Sequence, residues 1–230
     1  MLGSARFERY YLAAAQDVGR AVQLYRWNTQ LAGAFHSQLS YFEVLTRNAM
    51  NRALQDWNVE KTGHRDWALE QQSAQLLYDM LGSPARQARR RAQKESRRRR
   101  NGHVRKNAPL GHDDVVAQFT FGSWSNLLGE ALPVHRPNAQ ILWKECLHKA
   151  FPNVDRADQS RESIGKKFER LTHLRNRISH QENLLETNVR SRLNDVLTIL
   201  KAIDDSYPGW ALVGSQVRRV AREDPRKTWL

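Results

Sequence analysis

The chain has 230 residues, 40% of them apolar, with seven Trp and seven Phe; this excludes a disordered polyelectrolyte and allows a sizeable core. Its net charge is +13, and its single cysteine, Cys146, excludes both an intramolecular disulfide framework and a cysteine-rich zinc site. No apolar run approaches the roughly 18 to 20 residues that span a bilayer, and the opening MLGSARFERYY lacks the apolar stretch of a leader, so a soluble, cytoplasmic, membrane-free protein is expected.

Glycine and proline are sparse and apolar residues recur at spacings of three and four, which predicts an all-α fold. Phe7 to Trp27 reads as a helix weakened by Gly19. The series Leu31, Phe35, Leu39, Phe42, Leu45, Ala49, Ala53 predicts a long amphipathic helix after it. Asp66 to Leu81 reads as a third, stopped by Gly82-Ser83-Pro84. An Arg-rich segment follows and ends near Asn107-Ala108-Pro109. Asp113 or Asp114 could cap the next helix, VVAQFTFGSWSNLL. Pro133 and Pro137 bracket a loop, and Ile141 to Ala150 makes a short helix. Asp158 or Ser160 starts a helix with the core series Ile164, Phe168, Leu171, Leu174, Ile178. Val189, Leu193, Val196, Leu200 and Ile203 mark the last long helix, which Tyr207-Pro208-Gly209 ends. The basic tail to Leu230 has room for one more short helix. No internal repeat breaks the pattern. The expected architecture is a single helical domain over residues 1–230 with a basic insertion at 85–107.

The charge is concentrated. Between Ala85 and Lys106 lie eleven Lys or Arg and one acid, Glu95, whereas the rest of the chain is close to balanced. A basic segment on a near-neutral body points to a polyanion, nucleic acid before anionic membrane. Arg89, Arg90, Arg91, Arg97, Arg98, Arg99 and Arg100 are the candidate RNA-binding residues, because the guanidinium fork matches phosphate oxygens. The plainer alternative is a solvated segment that aids solubility.

The stretch HLRNRISHQEN, His173 to Asn183, carries the chemistry. Asn176 and His180 share a helix face with Arg177 beside them, and Arg175 lies about 140° from His180 with Asn176 between. Imidazole can take and give protons near neutral pH, and guanidinium can stabilise charge building on phosphoryl oxygens. RNA supplies its own nucleophile, the 2′-hydroxyl. These are parts for cleaving a phosphodiester without metal or cofactor. The spacing alone also fits an exposed helix face, and Arg97, Arg98 and Arg105 match it toward His103 or His112. A second polar face carries His36, Ser40, Glu43, Arg47 and Asn51, in which Glu43 and Arg47 could equally be a helix ion pair. His173 with His180 and Glu182 is a weaker metal arrangement. Phe119, Phe121 and Trp124 read as core, with base stacking by Trp124 as the alternative.

SYFEVLTRNAMNRAL, FTFGSWSNLLGEAL and HLRNRISHQENLL, in that order, resemble the three signature segments of the Abi-like (abortive-infection) proteins of the HEPN superfamily. The resemblance spans Phe35 to Leu200. It implies a HEPN-type helical bundle that commonly dimerises, an Arg-polar-x3-His motif acting in metal-independent RNA cleavage, and antiphage or toxin-like roles. The motif falls on Arg175, Asn176 and His180 as catalytic residues, and the first segment supplies Glu43, Arg47 and Asn48 as supporting residues. Relatives often read His-His-Glu-Pro where this chain has His180-Gln181-Glu182-Asn183, and the Arg-rich insertion is atypical. The expected partners are RNA, a second copy of the chain, and an antitoxin or other regulatory protein. The expected activity is endoribonuclease; the alternative is a non-catalytic RNA-binding or effector-sensing protein.

Overall fold

A computed structural model describes residues 4–229; the first three residues of the segment read for a leader, and the final Leu230, lie outside it. The described residues form helices and turns, with no strand among them. In chain order the helices are α1 (Ser4–Ala13), α2 (Val18–Thr62), α3 (Gln75–Arg98), α4 (His112–Val116), α5 (Phe121–Asn126), α6 (Arg136–Glu145), α7 (Asp158–Ser179), α8 (Val189–Ile203), α9 (Tyr207–Leu212) and α10 (Val217–Arg222). The all-α expectation holds. Among the described residues no helix is long and apolar enough to cross a membrane.

Two compact units divide the chain. One runs up to Leu45 and resumes at Arg170, and the other is Thr46–Glu169.

In the first unit the break expected near Trp27 is absent. It falls instead at Ala15 and Gln16, which adopt φ +50° and +65°. Asp17 then accepts a hydrogen bond from Arg20 N at 2.8 Å and caps α2, so Gly19 sits in a first turn, where its helix penalty matters least. Leu24, Leu31, Phe35 and Phe42 are fully buried, as are Leu171, Val196, Ile199 and Leu200. α8 packs against α9 and α10. Trp27 Nε1 donates to the Val220 carbonyl at 2.7 Å, and Gln38 Nε2 to the Ala211 carbonyl at 3.0 Å; both bonds fasten the C-terminal helices to α2. α8 ends earlier than expected, at Ile203 with Asp204 as its cap, and Tyr207-Pro208-Gly209 instead opens α9, because proline is pre-set for a first helical turn.

In the second unit, the helix expected over Asp66 to Leu81 is not formed. Gly63, at φ +77°, ends α2, and the following residues are clipped back onto it. The fully buried Asn58 side chain donates to the carbonyls of His64 and Gln72 at 2.7 and 2.8 Å, and accepts from Ala74 N at 2.8 Å. Gly82-Ser83-Pro84 does not stop a helix either; it lies inside α3. The buried stripe Leu77, Leu81, Ala85, Ala88, Ala92 continues through it, and that burial outweighs the local cost of proline. The first half of the expected basic insertion is therefore the second half of a core helix, packed on α4, α5 and α6.

VVAQFTFGSWSNLL divides into α4 and α5. Asp114 accepts from Gly111 N at 2.9 Å, and Thr120 Oγ1 accepts from Ser123 N at 3.2 Å to restart the helix. Phe119, Phe121 and Trp124 are at most 5% exposed, so they are core residues and Trp124 offers no stacking face. Gly165 permits close packing of α7 against Leu128 and Glu130, since an added Cβ would lie 2.6 Å from Glu130 Cγ.

Candidate active site

The first unit holds Glu43, Arg175, Asn176 and His180, and the second holds Arg47 and Asn48. The core series of α7 is buried at every position from Ile164 to Ile178. That burial fixes the rotation of the helix, leaving Arg175 half-buried and Asn176 and His180 exposed.

α7 ends in a defined closure. His180 N donates to the Asn176 carbonyl at 2.9 Å, Gln181 N to Ile178 at 3.1 Å, and Glu182 N to Arg177 at 2.9 Å. Gln181 takes φ +56°, the left-handed position usually given to glycine in this motif. The closure places His180 at the helix C-cap and presents its ring to solvent. Arg177 holds the turn from the side: its guanidinium donates to the Asn183 carbonyl and lies 3.6 Å from Glu182. The buried Asn28 Oδ1 accepts from Leu184 N at 2.6 Å and anchors the exit of the turn on α2. Arg177 is thus committed to structure. Arg175 takes part in no ion pair among the described residues, which leaves its guanidinium available for an incoming anion.

Sequence reasoning missed the neighbours supplied by α1. Arg6 Nη2 donates to the His180 carbonyl at 3.3 Å. A cavity of ≈ 270 Å³ opens beside it, lined by Arg6, Arg9, Tyr10, Tyr25 and Glu182 among others. Burial pushes the Tyr10 hydroxyl up to about 12, with Tyr25 adding to the shift and Arg177 and Arg6 opposing it, so Tyr10 is a neutral phenol at physiological pH. The only signal in the sequence was the pair of arginines at Arg6 and Arg9, too short a pattern to assign.

On α2, Glu43 and Arg47 are half-buried and Asn48 is exposed. Arg47 belongs to no ion pair among the described residues. Asn51, from the same polar face, serves the packing of the second unit, where its Oδ1 accepts from Trp67 Nε1 and from His112 Nε2, each at 3.0 Å.

The arginines of the basic segment fall into two groups. Arg89 donates to the Ala68 carbonyl at 2.8 Å, Arg91 to the Gln118 carbonyl at 3.1 Å, and Arg99 to the Arg105 carbonyl at 3.3 Å. These three arginines tie α3 to its surroundings. Burial would raise the Asp114 carboxyl, but the Gly111 N–H and the guanidinium groups of Arg105 and Arg99 outweigh it and hold the group below the usual carboxylate range. Arg90, Arg97, Arg98 and Arg100 are exposed. With Arg86 and Lys94, which sequence reasoning did not single out, they form a cationic stripe opposite the buried alanines. From Arg86 to Arg98 it spans about 18 Å of helix.

Compared with protein-family models, curated proteins and solved structures, the chain gives no match. The functional reading therefore rests on the residues themselves.

Proposed function

We propose that this chain is a metal-independent endoribonuclease of the HEPN type, resembling Abi-like proteins, that acts in the cytoplasm in antiphage defence or as a toxin. The observation that carries the reading is the end of α7, where an exposed His180 is held at the helix C-cap and Arg175, earlier on the same helix, has no ion-pair partner among the described residues.

In this reaction the RNA 2′-oxygen attacks the adjacent phosphorus and the P–O5′ bond breaks. The products are a 2′,3′-cyclic phosphate and a 5′-hydroxyl. His180 takes the 2′-hydroxyl proton or protonates the leaving 5′-oxygen. Arg175 stabilises the charge that develops on the non-bridging oxygens, and Asn176 positions the ring or the phosphate. The family resemblance also gives Glu43, Arg47 and Asn48 supporting roles. A homodimer would bring two His180 and two Arg175 to one cleft, and an antitoxin or other regulatory partner would restrain the activity.

The exposed face of α3 holds RNA by its phosphates. Its apolar face is already spent on the protein core, which disfavours insertion into a membrane surface and leaves electrostatic attraction as the mode of binding. A second reading, RNA binding without cleavage, draws on the same stripe, which needs nothing from His180. Incubating end-labelled RNA and its 2′-O-methylated counterpart with the protein tests the proposal. Cleavage of the first and resistance of the second are expected; equal cutting of both would overturn it.

A further inference from the structure

The first unit contains a second cationic feature, remote in sequence from the Arg-rich segment. The start of α8 and the stretch from α10 to Lys227 enclose a groove of ≈ 1150 Å³. Leu193 and Leu197 line it with apolar surface, and Arg190, Arg218, Arg222 and Lys227 supply four positive charges. No carboxylate lines it.

The imbalance is local and specific. Acids next to the lining residues in sequence are already used: Glu223 pairs with Arg219 at 2.7 Å, Asp224 with Arg226 at 2.6 Å and Asp195 with Arg170 at 2.7 Å. None of the four groove cations joins an ion pair among the described residues. Lys227 Nζ donates to the Ala221 carbonyl at 3.1 Å and so is held at the C-terminal end of α10. Four like charges converging on one groove repel each other, and an anionic ligand would relieve that cost. The volume exceeds the roughly 300 to 1,000 Å³ of ordinary small-molecule pockets, which favours a chain lying along an open groove over an enclosed metabolite. No aromatic side chain lines it, so phosphate contacts rather than base stacking must supply the affinity.

We propose that this groove binds a segment of single-stranded RNA through its phosphates, with little preference for base. The inference deepens the RNA reading given above, and its test is independent of cleavage. The ligand is a 2′-O-methylated oligonucleotide, which cannot be cut by the proposed chemistry, titrated against the full chain over a range of salt. The triple variant Arg190→Gln, Arg218→Gln, Arg222→Gln removes three charges while leaving Lys227 to cap α10. Its slope of log affinity against log salt is expected to be shallower than wild type by about 2, because each phosphate neutralised on a single strand contributes roughly 0.7. Arg219→Gln, on the same helix but paired with Glu223, is expected to leave the slope close to wild type.

A wild-type slope in the triple variant, with the variant folded by circular dichroism, overturns the groove proposal and leaves the ribonuclease reading standing. A flattened slope in a protein that cuts no RNA supports the groove and rejects the ribonuclease. Displacement of the oligonucleotide by ATP at equal concentration points to a free-nucleotide site and overturns the proposal as stated.

Discussion

The backbone N–H of Glu182 donates to the carbonyl of Arg177 at 2.9 Å, and this bond across the end of α7 determines where His180 stands. Without it the helix would fray and the imidazole would have no fixed relation to Arg175. The closure requires Gln181 at φ +56°, where a side chain costs roughly 1–2 kcal/mol relative to glycine.

Gln181→Gly is therefore expected to stabilise the protein, by about 1 kcal/mol after allowing for the greater freedom of glycine in the unfolded chain. For a chain of this size that is a rise of about 2–4 °C in Tm. A thermal melt measures it. A lower Tm would show that the Gln181 side chain contributes more than its backbone strain costs.

Arg161 is the charge most dependent on its partners in the second unit. It is 1% exposed, its Nη1 lies 3.0 Å from Glu130 Oε1 and its Nε 2.5 Å from Asp158 Oδ1, and it also donates to the Leu128 carbonyl. Arg161→Ala leaves the buried Glu130 carboxylate with only the longer contact to Arg136, at 3.4 Å, and is expected to cost about 3 kcal/mol in denaturant unfolding. Adding Glu130→Gln should recover part of that loss. Purely additive losses would mean that the two side chains are not coupled.

His112 makes stability depend on pH. Burial holds its imidazole below the ordinary histidine value, with Arg65 acting in the same direction and Asp66 and Asp113 opposing. Its Nε2 donates to Asn51 Oδ1, which satisfies the neutral ring. Above about pH 6.5 both folded and unfolded states are neutral at this position. Below it the unfolded chain takes up a proton that the folded chain resists, so stability falls with pH. His112→Gln is expected to show a smaller loss of Tm between pH 7.5 and 5 than wild type. An equal loss would assign the pH dependence to other groups.

The two groups of arginines on α3 are expected to separate. Arg86→Gln, Arg90→Gln and Arg97→Gln combined should weaken RNA binding and flatten its salt slope by about 2, with Tm nearly unchanged. Arg89→Gln and Arg91→Gln should lower Tm, because their carbonyl acceptors lose their donors, and should change the slope less. The reverse pattern would place the RNA grip elsewhere.

Most of the helical content was legible because burial on one face writes a 3.6-residue period into the chain. α7 and α8 appear where Ile164 to Ile178 and Val189 to Ile203 placed them. What misled was local chemistry overridden by distant contacts. Pro84 reads as a stop, but the buried stripe from Leu77 to Ala92 carries α3 past it. The 66–81 region reads as helix, yet Asn58, far back on α2, pulls residues 64–74 into turns through three hydrogen bonds. Ala15 and Gln16 carry no sequence signal for a left-handed break. At the candidate site, the residues of α7 were legible because they lie on one helix. Arg6 was not, since a contact spanning 174 positions leaves no local pattern.

The central claim is that His180 moves a proton in RNA cleavage, and single-turnover cleavage in EDTA by wild type and His180→Ala tests it most directly. The wild-type protein is expected to cut RNA in EDTA and leave a 2′,3′-cyclic phosphate with a 5′-hydroxyl. The variant is expected to bind the same RNA as tightly and to cut it at least about 100-fold more slowly. Cleavage that requires added Mg²⁺ or Mn²⁺, or a His180→Ala rate equal to wild type, would contradict the account.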